Sequence, residues 1–362
     1  MKNILIYAPN KKFFSNYGGV GGHITHLMGV VEGLKRNQCK VTLLVSEDVQ
    51  EYSYPELEDC DNVKILTFKN LYFLVGFSNL LRLIVEWEKY DFFYVRYSQS
   101  NLIYLWFLSL FLKERLILEV NSFGVNYRRW MRVPERIFLS GIKNTLCISQ
   151  QVAEVAKTLM SKQSNVIVIP NGVSERRIAT RSFDFTAQLC YIGVLKQGYG
   201  LEQFFQAFVA SKAYGDAAKL HVFGGGPELT RLRHTYGDEK IIFHGPQNWS
   251  EISKFLIRTR PILVYPSIGS FSFQSPIKMY EYLSSGLPVI AQHSSNIAAM
   301  HDKFPFFEMA NLNCSSEIDK VLVKLMQQPE LAQLKARSAI RQMKMHHSWQ
   351  IRMKELLTCL RD

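Results

Sequence analysis

Short apolar runs and amphipathic stretches alternate along nearly the whole chain. Lys2–Tyr7, Lys40–Val45, Val63–Phe68, Phe92–Arg96, Arg115–Val120, Thr145–Ile148 and Val166–Ile169 have the length and residue types of strands. Helical stretches such as His23–Arg36 and Leu102–Leu112 separate them. This rhythm predicts parallel strands covered by helices on both faces. Pro170-Asn171-Gly172-Val173 is a turn signal, and the polar stretch 174–187, with Arg176, Arg177, Arg181 and Asp184, follows it as a linker. A second series begins at Gln188–Ile192 and runs through Lys219–Phe223, Lys240–His244, Ile262–Tyr265 and Pro288–Ala291. Helices over about 315–327, 329–345 and 348–360 close the chain. The pattern predicts an α/β protein of two doubly wound domains, 1–173 and 188–345, facing across a cleft, with 346–362 as a terminal helix.

Composition narrows the class. A chain of 362 residues with 47% hydrophobic content supports two cores. Cys39, Cys60, Cys147, Cys190, Cys314 and Cys359 are scattered without CxxC spacing, which argues against a zinc site and suits a reducing, cytoplasmic compartment. The apolar start is too short for a signal peptide, and no window reaches the roughly 18 apolar residues of a spanning helix. The net charge of +12 favours anionic partners. Arg128, Arg129, Arg132 and Arg136 interleave with Trp130 and Phe138, and Lys335, Arg337, Arg341 and Lys344 form a second basic cluster; such clusters are expected of a peripheral contact with anionic membrane or of a solvated helix face. No nucleic-acid-binding motif is present, so nucleic acid is not an expected partner.

The segment Ser275-Pro276-Ile277-Lys278-Met279-Tyr280-Glu281-Tyr282-Leu283-Ser284-Ser285-Gly286-Leu287-Pro288-Val289-Ile290 carries the most chemistry. Ser275 is expected to cap a helix, Pro276 to occupy its first position, and Gly286 with Pro288 to end it. A lysine in the first turn opposes the helix dipole. A bound diphosphate would reverse that penalty at Lys278. Glu281, one turn on, is placed to accept hydrogen bonds from ribose hydroxyls.

These residues resemble the SPxKxxEYxxxGxPVI motif in the nucleotide-sugar site of retaining glycosyltransferases of family 4, which have the GT-B fold. The resemblance covers nearly the whole chain. It implies two Rossmann-like domains, a terminal helix returning to the first domain, and a nucleotide-sugar donor as co-substrate with no metal or other cofactor. It also implies donor contacts from Gln274, Ser275, Ile277, Lys278 and Glu281, with the last two acting in catalysis.

Other elements extend the donor site. Gly18-Gly19-Val20-Gly21-Gly22-His23 lies between the first strand and the first helix, where glycines let backbone N–H groups approach phosphate. It resembles the family's GGVxxH loop, which implies Gly18 and Gly19 near the diphosphate and His23 near the transferred sugar. His23 and His26 are spaced as half of a metal site, but no third ligand is near in sequence. Tyr191 to Gly200 resembles the family's GxLxxxKG element, with two departures. Val194 stands where arginine is usual, and the lysine position falls near Gly198, leaving Lys196 as a substitute. Phe223-Gly224-Gly225-Gly226-Pro227 matches a family turn, and Gly245 lies in a loop implied to sit beside the base. Phe273 occupies the position of a glutamate that many members carry near the sugar.

On the acceptor side, Glu119 ends a strand that opens on the cleft, followed by Asn121. Glu119 is a candidate to orient or deprotonate an acceptor hydroxyl, or else an ion-paired structural carboxylate. Arg96 is a candidate partner for Glu119 or for an acceptor phosphate. The expected function is sugar transfer to a growing glycan, lipid-linked and reached from the cytoplasmic face. A nonenzymatic nucleotide-sugar-binding or scaffold member and a nucleotide-sugar epimerase remain open alternatives.

Overall fold

The computed structural model describes residues 1–7, 22–46, 63–68, 87–98, 102–123, 132–216, 218–267 and 275–360. Among these, the first domain holds a parallel sheet in the order β3-β2-β1-β4-β5-β6-β7. Its strands are β1 (Asn3–Tyr7), β2 (Lys40–Ser46), β3 (Val63–Phe68), β4 (Phe92–Arg96), β5 (Leu116–Val120), β6 (Asn144–Cys147) and β7 (Asn165–Val168). The second domain repeats the scheme as β10-β9-β8-β11-β12-β13. These strands are β8 (Leu189–Ile192), β9 (Leu220–Phe223), β10 (Ile241–Gly245), β11 (Ile262–Tyr265), β12 (Val289–Gln292) and β13 (Glu308–Ala310). Each order reverses once, between β1 and β4 and between β8 and β11. Such switch points open a crevice at the carboxyl ends of the strands, where α/β proteins bind ligands.

Alternation along β1 shows how the first domain is layered. Ile4 and Ile6 point to one face, against α1 (Gly22–Arg36) and the terminal helix. Leu5 points to the other, against α2 (Leu102–Leu112), α3 (Arg132–Leu139) and α4 (Gln150–Leu159). The second domain carries α5 (Leu201–Val209), α6 (Lys212–Gly215), α7 (Leu229–Tyr236), α8 (Trp249–Thr259) and α9 (Ile277–Leu283). Then follow α10 (Ser295–Lys303), α11 (Ser315–Gln327), α12 (Pro329–His346) and α13 (Trp349–Cys359). Tyr191, Phe204, Phe205, Phe208 and Ile318 share one core of this domain, and Cys190, Leu263, Met279 and Leu283 share the other.

The chain crosses back to the first domain at α13. Ser348 caps that helix by accepting from the Ile351 N–H at 3.4 Å. Trp349, 2% exposed, then lies against Gly29 and Gly33 of α1. A Cβ at Gly29 would fall 2.0 Å from Trp349 Nε1, so the close approach of the two helices requires glycine there. Val173 pairs with this crossing: its N–H donates to His347 O at 2.9 Å, and the Trp349 N–H donates to Val173 O at 3.1 Å. The residues between the sheets run along the second domain, with Ala179 N–H donating to Ser284 O at 2.8 Å and Phe183 N–H to Gly286 O at 3.0 Å.

Candidate active site

The donor half is built around α9. Tyr282 locks its rotation, because the Tyr282 hydroxyl accepts from Ile192 N–H at 2.8 Å and donates to Ile192 O at 3.1 Å. Residues four apart share a helix face. Lys278 is therefore also turned toward the end of β8, next to the switch point. Its Nζ donates to the Tyr191 hydroxyl at 3.3 Å and lies 4.8 Å from that ring's centroid. Tyr191 in turn donates to Val194 O at 3.0 Å. Gly193 makes room for the ammonium: a Cβ there would fall 1.6 Å from Nζ. Burial lowers the Lys278 pKa, and the neighbouring Tyr265, Tyr199 and Glu281 partly offset that shift. Such an amine gains most from a nearby anion.

Two details of the sequence reading change. Ser275 does not cap α9, and Pro276 stands before its first turn in an extended conformation (φ −77°, ψ 97°). The Ser275 hydroxyl is already engaged, accepting from the Asn171 N–H at 3.0 Å. The stop at Gly286 is as expected, with φ +79°. Glu281, one turn from Lys278, pairs with Arg177 of the segment leading into the second domain. The Arg177 guanidinium lies over the Trp249 ring at 4.7 Å. Sequence reading placed Arg177 in a linker and missed this contact, since no local pattern joins residues more than a hundred positions apart.

The glycine-rich turn after β9 packs on the turn after β8. Gly193 N–H donates to Phe223 O at 2.8 Å and Leu195 N–H to Gly225 O at 2.8 Å. Gly224, at φ +135°, would place a Cβ 1.9 Å from Gly193 O, so these glycines bring the two loops together. Gly245 adds the next rung, its carbonyl accepting from Gly224 N–H at 2.8 Å. Lys196 is exposed on the loop after β8.

The acceptor half is a buried polar chain. Glu119, 1% exposed on β5, is in direct contact with His26 Nε2 from α1. His26 Nδ1 meets Asn171 Oδ1 at 2.5 Å, and Asn171 Nδ2 donates to Ser275 O at 2.6 Å. That last bond orients the Asn171 amide. It leaves both His26 nitrogens facing acceptor oxygens. Burial alone would raise the Glu119 pKa. The His26 and Arg96 charges and the Tyr94 hydroxyl outweigh it and hold the carboxyl below the usual range. Arg96 is the register neighbour of Glu119 on β4. Glu119 is thus enclosed and ion-paired, a poor base for an acceptor hydroxyl; the geometry favours its structural reading. Asn121 sits just past β5 with its side-chain oxygen buried. Sequence reading raised and set aside a half metal site at His23 and His26; in the structure His26 binds Glu119 and Asn171. Gly18, Gly19, Phe273 and Gln274 lie outside the described residues, as does the side chain of His23. Among the described residues no group of three or more His, Cys, Asp or Glu could hold a metal ion.

Two facing domains, each with its switch point turned to the cleft, define the class of glycosyltransferase folds called GT-B. Residues 20–177 match the family model Glycosyltransferase Family 4, and residues 186–311 match the model Glycosyl transferases group 1. The chain is a glycosyltransferase with the GT-B fold. Among solved structures it is similar to Anabaena HepE in complex with UDP and glucose (13% identity, 99% of this chain and 100% of that one, TM-score 0.70). It is also similar to sucrose-phosphate synthase from Thermosynechococcus elongatus (12%, 100% and 98%, TM-score 0.69). A third is the lipopolysaccharide outer core galactosyltransferase WaaB (16%, 99% and 99%, TM-score 0.61). The comparison with curated proteins finds no match.

Proposed function

We propose that this enzyme transfers a sugar from a nucleoside diphosphate sugar to a hydroxyl of a growing glycan, with retention of anomeric configuration. The observation that carries the reading is the Lys278 ammonium, enclosed beside Tyr191 and Gly193 at the switch point of the second domain, one turn from Glu281. In this reading Lys278 faces the diphosphate and Glu281 accepts from the ribose hydroxyls. As the bond from the sugar to the phosphate oxygen breaks, charge develops on the leaving diphosphate. A pre-positioned ammonium stabilises it there without a metal. The acceptor hydroxyl attacks the same sugar carbon, and its proton passes to the departing phosphate oxygen. This route needs no protein base, which accords with the enclosed Glu119. The HepE complex supports uridine as the first base to try. WaaB, by its name, supports a lipid-linked acceptor, and the charge of +12 supports work on the anionic cytoplasmic face of a membrane.

The direct test is thermal stabilisation by UDP-, GDP-, ADP- and CMP-sugars, in wild type, Lys278→Ala and Glu281→Ala. A ligand of the native state raises its apparent stability by mass action. One nucleotide class is expected to stabilise the wild type, and both substitutions are expected to abolish the shift. Equal shifts in all three proteins would remove Lys278 and Glu281 from the site. For transfer itself, removing one pre-positioned charge donor is expected to cost about 10²–10³ in kcat. A product with the anomeric configuration opposite to the donor's would exclude retention.

A further inference from the structure

We propose that the outer face of α2 and α3 is a docking surface for an anionic lipid bilayer; this rests on the reading above that the acceptor is lipid-linked. The α2 sequence, LIYLWFLSLFL, is apolar or aromatic almost all round. A helix on the surface of a soluble domain carries one apolar stripe. Here Leu105, Leu108 and Leu112 fill the core stripe. The opposite face bears Ile103 (45% exposed), Trp106 (36%), Leu110 (52%) and Phe111 (54%). The adjacent α3 adds Val133 and Ile137, 64% and 59% exposed. Trp106 and Phe138, with ring centroids 6.3 Å apart, join the two helices into one patch.

Charge indicates what covers it. Lys113, Arg115 and Arg136 are exposed at its edges. From Leu102 to Lys143 the described side chains include four cations, Lys113, Arg115, Arg136 and Lys143, against three acids, Glu114, Glu119 and Glu135, while Arg128, Arg129, Trp130 and the side chain of Arg132 lie outside the described residues. Two of those acids are withdrawn from the surface. Glu119 pairs with His26, and the fully buried Glu135 accepts from the Tyr97 hydroxyl. A second copy of the chain would bring the same cations together across a two-fold axis. An anionic bilayer takes up both features, the apolar side chains below the headgroups and the cations among them. The exposed Val323, Met326, Leu331 and Leu334 of α11 and α12 have cations beside them too, but there Lys320 pairs with Glu317, and Lys324 and Lys335 pair with Glu308, so this face serves as the control. Position supports the same assignment. The α2 helix follows β4 and α3 follows β5, so the connections into both helices leave the cleft end of the first sheet.

The test is flotation of the full chain with vesicles of phosphatidylcholine alone and with phosphatidylglycerol added. The variants are Trp106→Ala with Phe111→Ser, Lys113→Glu with Arg136→Glu, and Leu331→Ser with Leu334→Ser as the control face. The wild type and the control are expected to float with anionic vesicles and release at high salt. The charge-reversal pair should lose at least about tenfold in vesicle affinity, at about 1 kcal/mol per basic residue. The aromatic pair should also lose binding, and both should keep the nucleotide-sugar thermal shift. Vesicle binding by these two variants at wild-type strength would overturn the proposal. A wild-type dimer that the aromatic pair dissociates, with no flotation, would overturn it in favour of self-association. Flotation that behaves as expected in a protein stabilised by no nucleotide sugar would keep the docking surface and sink the proposed function instead.

Discussion

The two halves of the cleft assemble their polar groups differently. In the donor half, Lys278, Glu281 and Tyr282 stand on one short helix, and its rotation is set by two bonds to the backbone of Ile192. In the acceptor half, Glu119, His26 and Asn171 come from a strand, a helix and a turn, and meet only in the folded chain. The donor group is half-open and carries an ammonium whose charge burial disfavours. The acceptor group is closed, with its charges opposed inside the domain. Unsatisfied charge at a switch point invites a ligand, whereas satisfied charge beneath it holds the scaffold. Ser275 joins the two, since its carbonyl and hydroxyl both bind Asn171 and it leads directly into α9.

The comparison predicts opposite responses to substitution. His26→Ala would take from the buried Glu119 its closest cationic partner. Breaking a buried pair in this way costs about 3–5 kcal/mol. Asn171→Ala removes a hydrogen bond to each neighbour and is expected to cost about 1–3 kcal/mol. The double variant should fall short of the sum by more than about 0.5 kcal/mol, because the residues belong to one chain of contacts. Lys278→Ala breaks no ion pair among the described residues and should leave the unfolding midpoint close to wild type while removing nucleotide binding. Urea unfolding measures all four. Strict additivity of His26 and Asn171 would dissolve the chain into separate contacts. A large loss of stability in Lys278→Ala would make that lysine structural.

Legibility in the sequence followed the same division. The strand and helix alternation placed both sheets because parallel strands buried on two faces are written as local apolar runs. Lys278 and Glu281 were readable because their spacing is a helical turn. Ser275 was misread as a cap because its competing partner, Asn171, lies 104 residues away. His26 was visible only through its spacing from His23, a metal pattern that the sequence left incomplete, so no role was assigned to it. Its real partners are set by sheet order, which brings β5 and the turn after β7 over α1. Arg177 was hidden for the same reason: its contacts with Glu281 and Trp249 exist only after the linker lies down on the second domain.

A smaller effect tests how the halves are held together. Gly33 of α1 would place a Cβ 2.3 Å from Trp349 O and 2.6 Å from Met353 Cγ. Gly33→Ala must push α13 away. Overpacking of this kind costs about 1–3 kcal/mol. Because α13 is the return crossing from the second domain, the loss should appear with the same size in a probe of either domain. Tryptophan fluorescence of Trp349 and nucleotide-sugar protection of the second domain would report it separately. A loss confined to the first-domain probe would show that the domains unfold independently of this contact.

The last prediction separates the halves by pH. In the second domain His221 bonds Gln188 at 2.8 Å and faces His244 at 3.0 Å. Burial, reinforced by His244, Lys219 and Arg258, lowers its pKa to about 4. The fold therefore favours neutral His221. The stability this provides is complete above the unfolded pKa of about 6.5 and declines as pH falls from there to about 4, by at most about 1.4 kcal/mol per pH unit. Glu119, in the first domain, is also depressed, but as a carboxylate. Its contribution is complete above the unfolded value of about 4.3 and is lost only as pH falls through its lower folded pKa. Mild acid should thus weaken the donor domain before the buried acceptor-side carboxylate is touched. His221→Gln should lessen the slope of the stability profile between pH 6.5 and 4, where burial of His244 and His347 keeps the remainder, and leave the more acidic limb unchanged. An identical slope in wild type and variant over that window would mean that His221 titrates alike in the folded and unfolded chain, and the contrast between the halves would then rest on geometry alone.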